Sequence, residues 1–148
     1  MNLRRLRFTS REGAEDATPD LCSAVISIRD PGSKPVDLKR GWYKVLSLVF
    51  HDIDRDKLST MSAHLRADIE LAYAMMEPAH AQVIVAFVND AVRAGVEGFL
   101  VHCEAGISRS AAVAKWIAEH YHLPSLRPAV VAHNRYVYRL LKEAACTE

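Results

Sequence analysis

Cysteine, glycine, arginine and serine stand at set intervals in Val101-His102-Cys103-Glu104-Ala105-Gly106-Ile107-Ser108-Arg109-Ser110. Together they can hold an oxyanion against a sulfur nucleophile. A thiolate is a strong nucleophile, and cations or a helix N-terminus stabilise it over the thiol, whose unperturbed pKa is near ~8.5. Arg109 supplies a planar fork that grips two oxygens of a phosphoryl group, and Ser110 can donate a hydrogen bond to the sulfur. Gly106 can take backbone angles that a side chain forbids, which lets the five residues between Cys103 and Arg109 curl. On this reading Cys103, Arg109 and Ser110 act directly. Glu104, Ala105, Gly106, Ile107, Ser108 and Arg109 form the anion-binding loop, and His102, directed the other way by strand alternation, braces it.

Such a loop needs elements on both sides. Phe99-Leu100-Val101 is an apolar run expected to be a buried, central strand. Ser110 to Tyr121 predicts a helix with Val113, Trp116, Ile117 and Tyr121 on one face. A strand, a tight loop and a helix whose positive end faces the loop make a seat for a dianion.

The spacing His102-Cys103-x-x-Gly106-x-x-Arg109-Ser110 resembles the H-C-x-x-G-x-x-R-S/T phosphate loop of cysteine-dependent protein tyrosine phosphatases. The fuller wording is most similar to their compact dual-specificity branch. Phe50-His51-Asp52 and Asn134-Arg135 resemble small bacterial phosphatase-like proteins. The resemblance is strongest from Gly98 to Tyr121. It implies an α/β fold with a mostly parallel central sheet flanked by helices in three layers. It also implies phosphomonoester hydrolysis through a phosphocysteine, with no cofactor and no metal. Other readings fit less well. A zinc site at His102-Cys103 is disfavoured, because adjacent strand residues face opposite ways and no C-x-x-C follows. Gly106-Ile-Ser108-Arg-Ser110 lacks the last glycine of the hydrolase elbow. A sulfurtransferase loop resembles C-x4-R, one residue shorter than the spacing here.

In the family an aspartate on a loop after a neighbouring strand protonates the leaving group and later activates water. Asp52 and Asp54 occupy such a loop. Asp52 lies 51 residues before Cys103, further than is usual in the family, and a helical segment between acid loop and cysteine strand accounts for the excess. Asp68 has the more usual separation but lies in that predicted helix. Alternation through Leu46, Leu48 and Phe50 favours Asp52, with Asp54 the alternative acid.

The rest of the chain supplies the frame. Its 148 residues are half apolar, enough for one domain spanning 1–148 with a real core. Nineteen basic and eighteen acidic residues give a net charge of +1, which disfavours nucleic-acid and membrane-surface partners. Cys22, Cys103 and Cys146 are too few and too scattered for a disulfide framework, and no apolar run suggests a signal peptide or membrane span; a cytoplasmic protein is expected. Leu3–Phe8 is expected as an edge strand, Thr9–Asp20 as a connection, and Leu21–Ile28 as a strand followed by a turn at Asp30-Pro31-Gly32. Cys22 is expected as a core thiol. Tyr43–Phe50 is the next strand. Leu58, Met61, Leu65, Ala72 and Met76 suggest one helix, and Pro78 opens another that ends before Gly95. After Pro124 and Pro128, Asn134 caps a last helix with Val137, Leu140, Leu141 and Ala144 inward.

Strands alternating with helices independently predict the same parallel α/β fold. The expected substrate is a phosphorylated protein or a small phosphomonoester, with phosphotyrosine favoured by resemblance. Glu104, offsetting Arg109 in a loop without lysine, disfavours a multiply phosphorylated inositide. The rival expectation is a catalytically weak phosphate-binding module that docks a phosphoprotein. Oligomeric state is not written in the sequence.

Overall fold

The structure is a computed structural model that describes residues 1–124 and 132–147. Four strands form one sheet: β1 (Arg5–Thr9), β2 (Ser23–Arg29), β3 (Val45–Val49) and β4 (Gly98–His102). Their order is β1-β4-β2-β3, and every neighbouring pair is parallel. The helices are α1 (Arg11–Asp16), α2 (Arg55–Leu58), α3 (Ala63–Ala72), α4 (Pro78–Arg93), α5 (Arg109–His120) and α6 (Arg135–Cys146). This is the α/β arrangement that the alternating pattern predicted.

β4 lies between β1 and β2, and all five of its residues are buried. A strand covered on both faces has no position for a solvated side chain, which explains its continuous apolar run. One face of the sheet carries the larger core, where Ile26, Phe50, Phe99 and Val101 meet Ile84, Val113, Ile117 and Leu141 from α4, α5 and α6. The opposite face carries a smaller cluster of Val25 and Leu100 with Ala14 and Trp42. Helix α5 buries nine of its twelve residues, including Ala111, Ala112 and Ala114, whose small side chains let it lie close against the sheet. Asn134 caps α6 as expected, accepting from the Val137 N–H at 3.0 Å, and Val137, Leu140, Leu141 and Ala144 are buried. Pro128, expected before that helix, lies outside the described residues.

Three expectations are corrected. Thr9–Asp20 is not a plain connection, because Ser10 accepts from the Gly13 N–H at 3.1 Å and caps the short helix α1. The single helix expected from Leu58 to Met76 is two. Ser62 accepts from the Leu65 N–H and starts α3 afresh, so the apolar spacing is shared between separate elements. Helix α3 buries no residue, while Leu58 and Met76 reach the interior from outside it. Cys22 is exposed rather than a core thiol, since it stands one residue before the buried strand begins. The neighbouring Glu97 carboxylate pushes the Cys22 thiol pKa up.

Parallel pairing has one consequence for function. The register Thr9↔His102, Ser27↔His102 and Arg29↔Val49 brings the C-terminal ends of all four strands to one edge. Loops after parallel strands converge there, where ligands of open α/β sheets bind.

Candidate active site

Cys103 is the first residue beyond β4 and is 1% exposed. Its Sγ lies 3.2 Å from the Ser110 Oγ and accepts the Gly106 N–H at 3.2 Å. These contacts curl the loop back over the sulfur, and α5 begins at Arg109 directly behind it. The sulfur thus faces an amide donor and a hydroxyl at the start of a twelve-residue helix.

The curl depends on Gly106. Its φ is +77°, and a Cβ there would stand 2.3 Å from the Ser10 nitrogen and 2.5 Å from the Thr9 carbonyl carbon. The end of β1 therefore packs directly on the loop. Helix α1 adds a second brace: the Arg11 N–H donates to the Glu104 carbonyl at 3.1 Å, and the Arg11 guanidinium lies 3.3 Å from the Glu104 carboxylate. Glu104 thus faces Arg11 rather than offsetting Arg109 within the loop. Ala105 and Ile107 stand exposed at the rim.

His102 points away from the sulfur as alternation required. It is fully buried, with Nε2 2.6 Å from Ser27 Oγ and Nδ1 3.2 Å from the Cys103 carbonyl oxygen. Burial lowers its pKa, so the imidazole is held neutral and ties the loop to β2.

Arg109 is buried. Its Nη1 donates to the Asp30 carboxylate at 2.7 Å and to the Phe50 carbonyl at 2.6 Å. Its Nε–H is buried without a hydrogen-bond partner among the described residues. A buried cationic donor left unpaired is costly, and an oxyanion in the loop would satisfy it.

The two candidate acids part company. Asp52 Oδ1 accepts from the Ser108 hydroxyl at 2.8 Å and from Asn134 Nδ2 at 2.9 Å, so its carboxylate sits on the loop. Asp54 instead caps α2, accepting from the Asp56 N–H at 3.0 Å. Asp68 lies exposed on α3, 3.7 Å from His64 Nε2 and occupied on its own helix. The acid loop is held at its stem, where the His51 N–H donates to the Ala74 carbonyl at 2.7 Å and His51 Nδ1 accepts from the Ala74 N–H at 2.9 Å. A cavity of about 310 Å³ opens beside Ser108, walled by Asp52, Leu58, Met61, Ile69 and Asn134.

Sequence reasoning missed Asp30, Arg11 and the Phe50 carbonyl as members of the site; it read Asn134 as a helix cap and, with Arg135, as part of the resemblance, without a partner. The signal for Asp30 was present, because it follows a strand whose C-terminal end must lie beside that of β4. Read as a turn residue, it looked fully explained.

The parallel α/β sheet thus sets a cysteine at the floor of an arginine-bearing loop. No protein-family model matches the chain, and no curated protein matches it. Among solved structures, it is similar to the human tyrosine phosphatase-like serine/threonine/tyrosine-interacting protein, with a TM-score of 0.57 and 18% identity over 96% of this chain and 91% of that one. It is also similar to Tk-PTP in its active form, with a TM-score of 0.44 and 19% identity over 97% and 93% of the two chains. The fold assignment rests on the first: this chain has the fold of a compact tyrosine phosphatase-like protein. Among the described residues, no helix is long and apolar enough to cross a membrane.

Proposed function

We propose that this protein is a phosphomonoester hydrolase of the protein phosphatase type, acting on phosphotyrosine or on several phosphoresidues through a phosphocysteine. Cys103 Sγ attacks phosphorus, forming the S–P bond while the P–O bond to the leaving group breaks. Arg109 and the loop amides, with the positive end of α5, take up the charge of the transferred group. Asp52 donates a proton to the leaving oxygen, then removes one from the water that attacks the phosphocysteine. The P–S bond breaks in that second step and Ser110 steadies the returning thiolate.

The observation that carries this reading is the environment of one atom. Cys103 Sγ is buried at the loop floor, in contact with Gly106 N–H and Ser110 Oγ. A structural thiol in a core has no use for such donors. The position of Asp52 on Ser108 supports its role as the acid over Asp54. The cavity beside Ser108, with Leu58, Met61 and Ile69 in its wall, suits an aryl group or a peptide side chain next to the phosphate.

The rival is a docking module that binds phosphoprotein without turnover, and the human neighbour is described as an interacting protein. Turnover separates the two. Wild-type protein should release phosphate from a phosphotyrosine peptide, with a burst of leaving group matching the enzyme concentration, and Cys103→Ser should abolish both. Tight peptide binding by wild type with no phosphate release establishes the docking reading instead.

A further inference from the structure

The buried guanidinium of Arg109 needs a counter-charge, and the one it has comes from outside the loop. Asp30 is the first residue after β2, and its Oδ1 accepts from Arg109 Nη1 at 2.7 Å. The Phe50 carbonyl, just beyond β3, accepts from the same nitrogen at 2.6 Å. Nη1 carries two hydrogens, so these acceptors occupy it fully. They stand on the ends of two strands whose register is fixed by pairing, Arg29↔Val49. Asp30 is itself held by its turn, its carbonyl accepting from the Ser33 N–H at 3.1 Å and the Ser33 hydroxyl at 2.7 Å.

A guanidinium is planar, so tying one terminal nitrogen at two points fixes the orientation of the whole group. The Nε–H is then left for another acceptor, and it is buried with none among the described residues. We propose that Asp30, together with the Phe50 carbonyl, is the positioning residue that aims the Arg109 fork at the oxyanion in the loop. This rests on the phosphate-binding role given to Arg109 above. Asp30 does not compete for the fork, because it bonds Nη1 and leaves the Nε–H free.

The proposal makes a prediction opposite in sign to simple electrostatics. Removing a carboxylate near an anion site raises the local positive potential, which on charge alone tightens anion binding. The Asp30 side chain is 40% exposed, so solvent screens much of that effect, and loss of orientation dominates. Inorganic phosphate and orthovanadate binding, measured by calorimetry on the full chain, decides between the two. Asp30→Ala should weaken both by about tenfold or more, the size of one charged hydrogen bond. Asp30→Asn, which keeps an acceptor oxygen, should recover most of the loss. In an Arg109→Lys background Asp30→Ala should have no further effect.

Equal or tighter binding by Asp30→Ala overturns the proposal, and so does an Asp30→Asn variant as weak as Asp30→Ala, since then an acceptor oxygen at this position does not restore the aim of the fork. If Asp30→Ala does not fold, Asp30→Ser, also too short to reach Nη1, takes its place. A wild-type protein that binds neither anion removes the phosphate-loop reading and this one together. Binding by wild type with no weakening in the variant removes only the role of Asp30.

Discussion

Gly106→Ala tests whether the loop owes its shape to the end of β1. Two costs follow from the structure. At φ +77° an alanine sits in the left-handed region, which costs roughly 1–2 kcal/mol. The new Cβ would also stand 2.3 Å from the Ser10 nitrogen, where ordinary contact begins about 1 Å further out. The obstacle is backbone, which cannot rotate aside, so the loop itself must lift by about that distance. Lifting it stretches the 3.2 Å contact between Gly106 N–H and Cys103 Sγ and moves every amide of the loop. A displacement of ~1 Å at reacting atoms costs about 10²-fold. We expect kcat/KM on an aryl phosphate to fall by about 10²-fold. The melting temperature should fall by about 5–10 °C, as follows from a loss of roughly 2–3 kcal/mol in a chain of this size. Gly95→Ala is the control: φ there is +96°, but the nearest atom to a new Cβ is a side-chain nitrogen at 3.5 Å, so strain acts without collision. It should lower the melting temperature by a few degrees and leave kcat/KM unchanged. If Gly106→Ala behaves like Gly95→Ala in both measurements, the close approach of β1 does not shape the loop and the steric argument fails.

Two further outcomes are expected. Asp52→Asn should slow hydrolysis of a phosphotyrosine peptide by about 10²-fold and that of a nitrophenyl ester much less, because a good leaving group needs little protonation. Asp54→Asn should leave both nearly intact, since asparagine caps a helix about as well as aspartate; a steeper leaving-group dependence in Asp54→Asn exchanges their roles. Burial lowers the His102 pKa below its unfolded value near ~6.5. Above that pH both states hold a neutral ring and its contribution to stability is whole. As pH falls from there through the folded value, the unfolded chain takes up a proton that the folded chain refuses, so stability declines. Urea unfolding of wild type and His102→Gln between pH 5 and 8 should show a shallower acid decline in the variant, and equal slopes rule out His102 as the group responsible.

The segment from Gly98 to Tyr121 was legible in the sequence because its determinants are local. A strand buried on both faces must be apolar throughout, a curled loop needs Gly106, and the arginine, the serine and the helix lie within seven residues of the cysteine. The cap at Asn134 was legible for the same reason, as cap and capped amide are three residues apart. Helix α3 misled because helical spacing reports periodicity and not what, if anything, the apolar face packs against.

The rest of the site was decided by tertiary structure. Asp52 meets Ser108 across 56 residues, Arg109 meets Asp30 across 79, and Arg11 meets Glu104 across 93. Which distant residues meet depends on strand order, and β1-β4-β2-β3 leaves no periodic trace in the chain. A turn aspartate, a helix-capping aspartate and one that meets a distant loop look alike in sequence, since each is a carboxylate in a polar loop. The parallel register separates them by setting Asp30 beside Arg109 and Asp52 on Ser108, while the carboxylate of Asp54 is turned to its own helix.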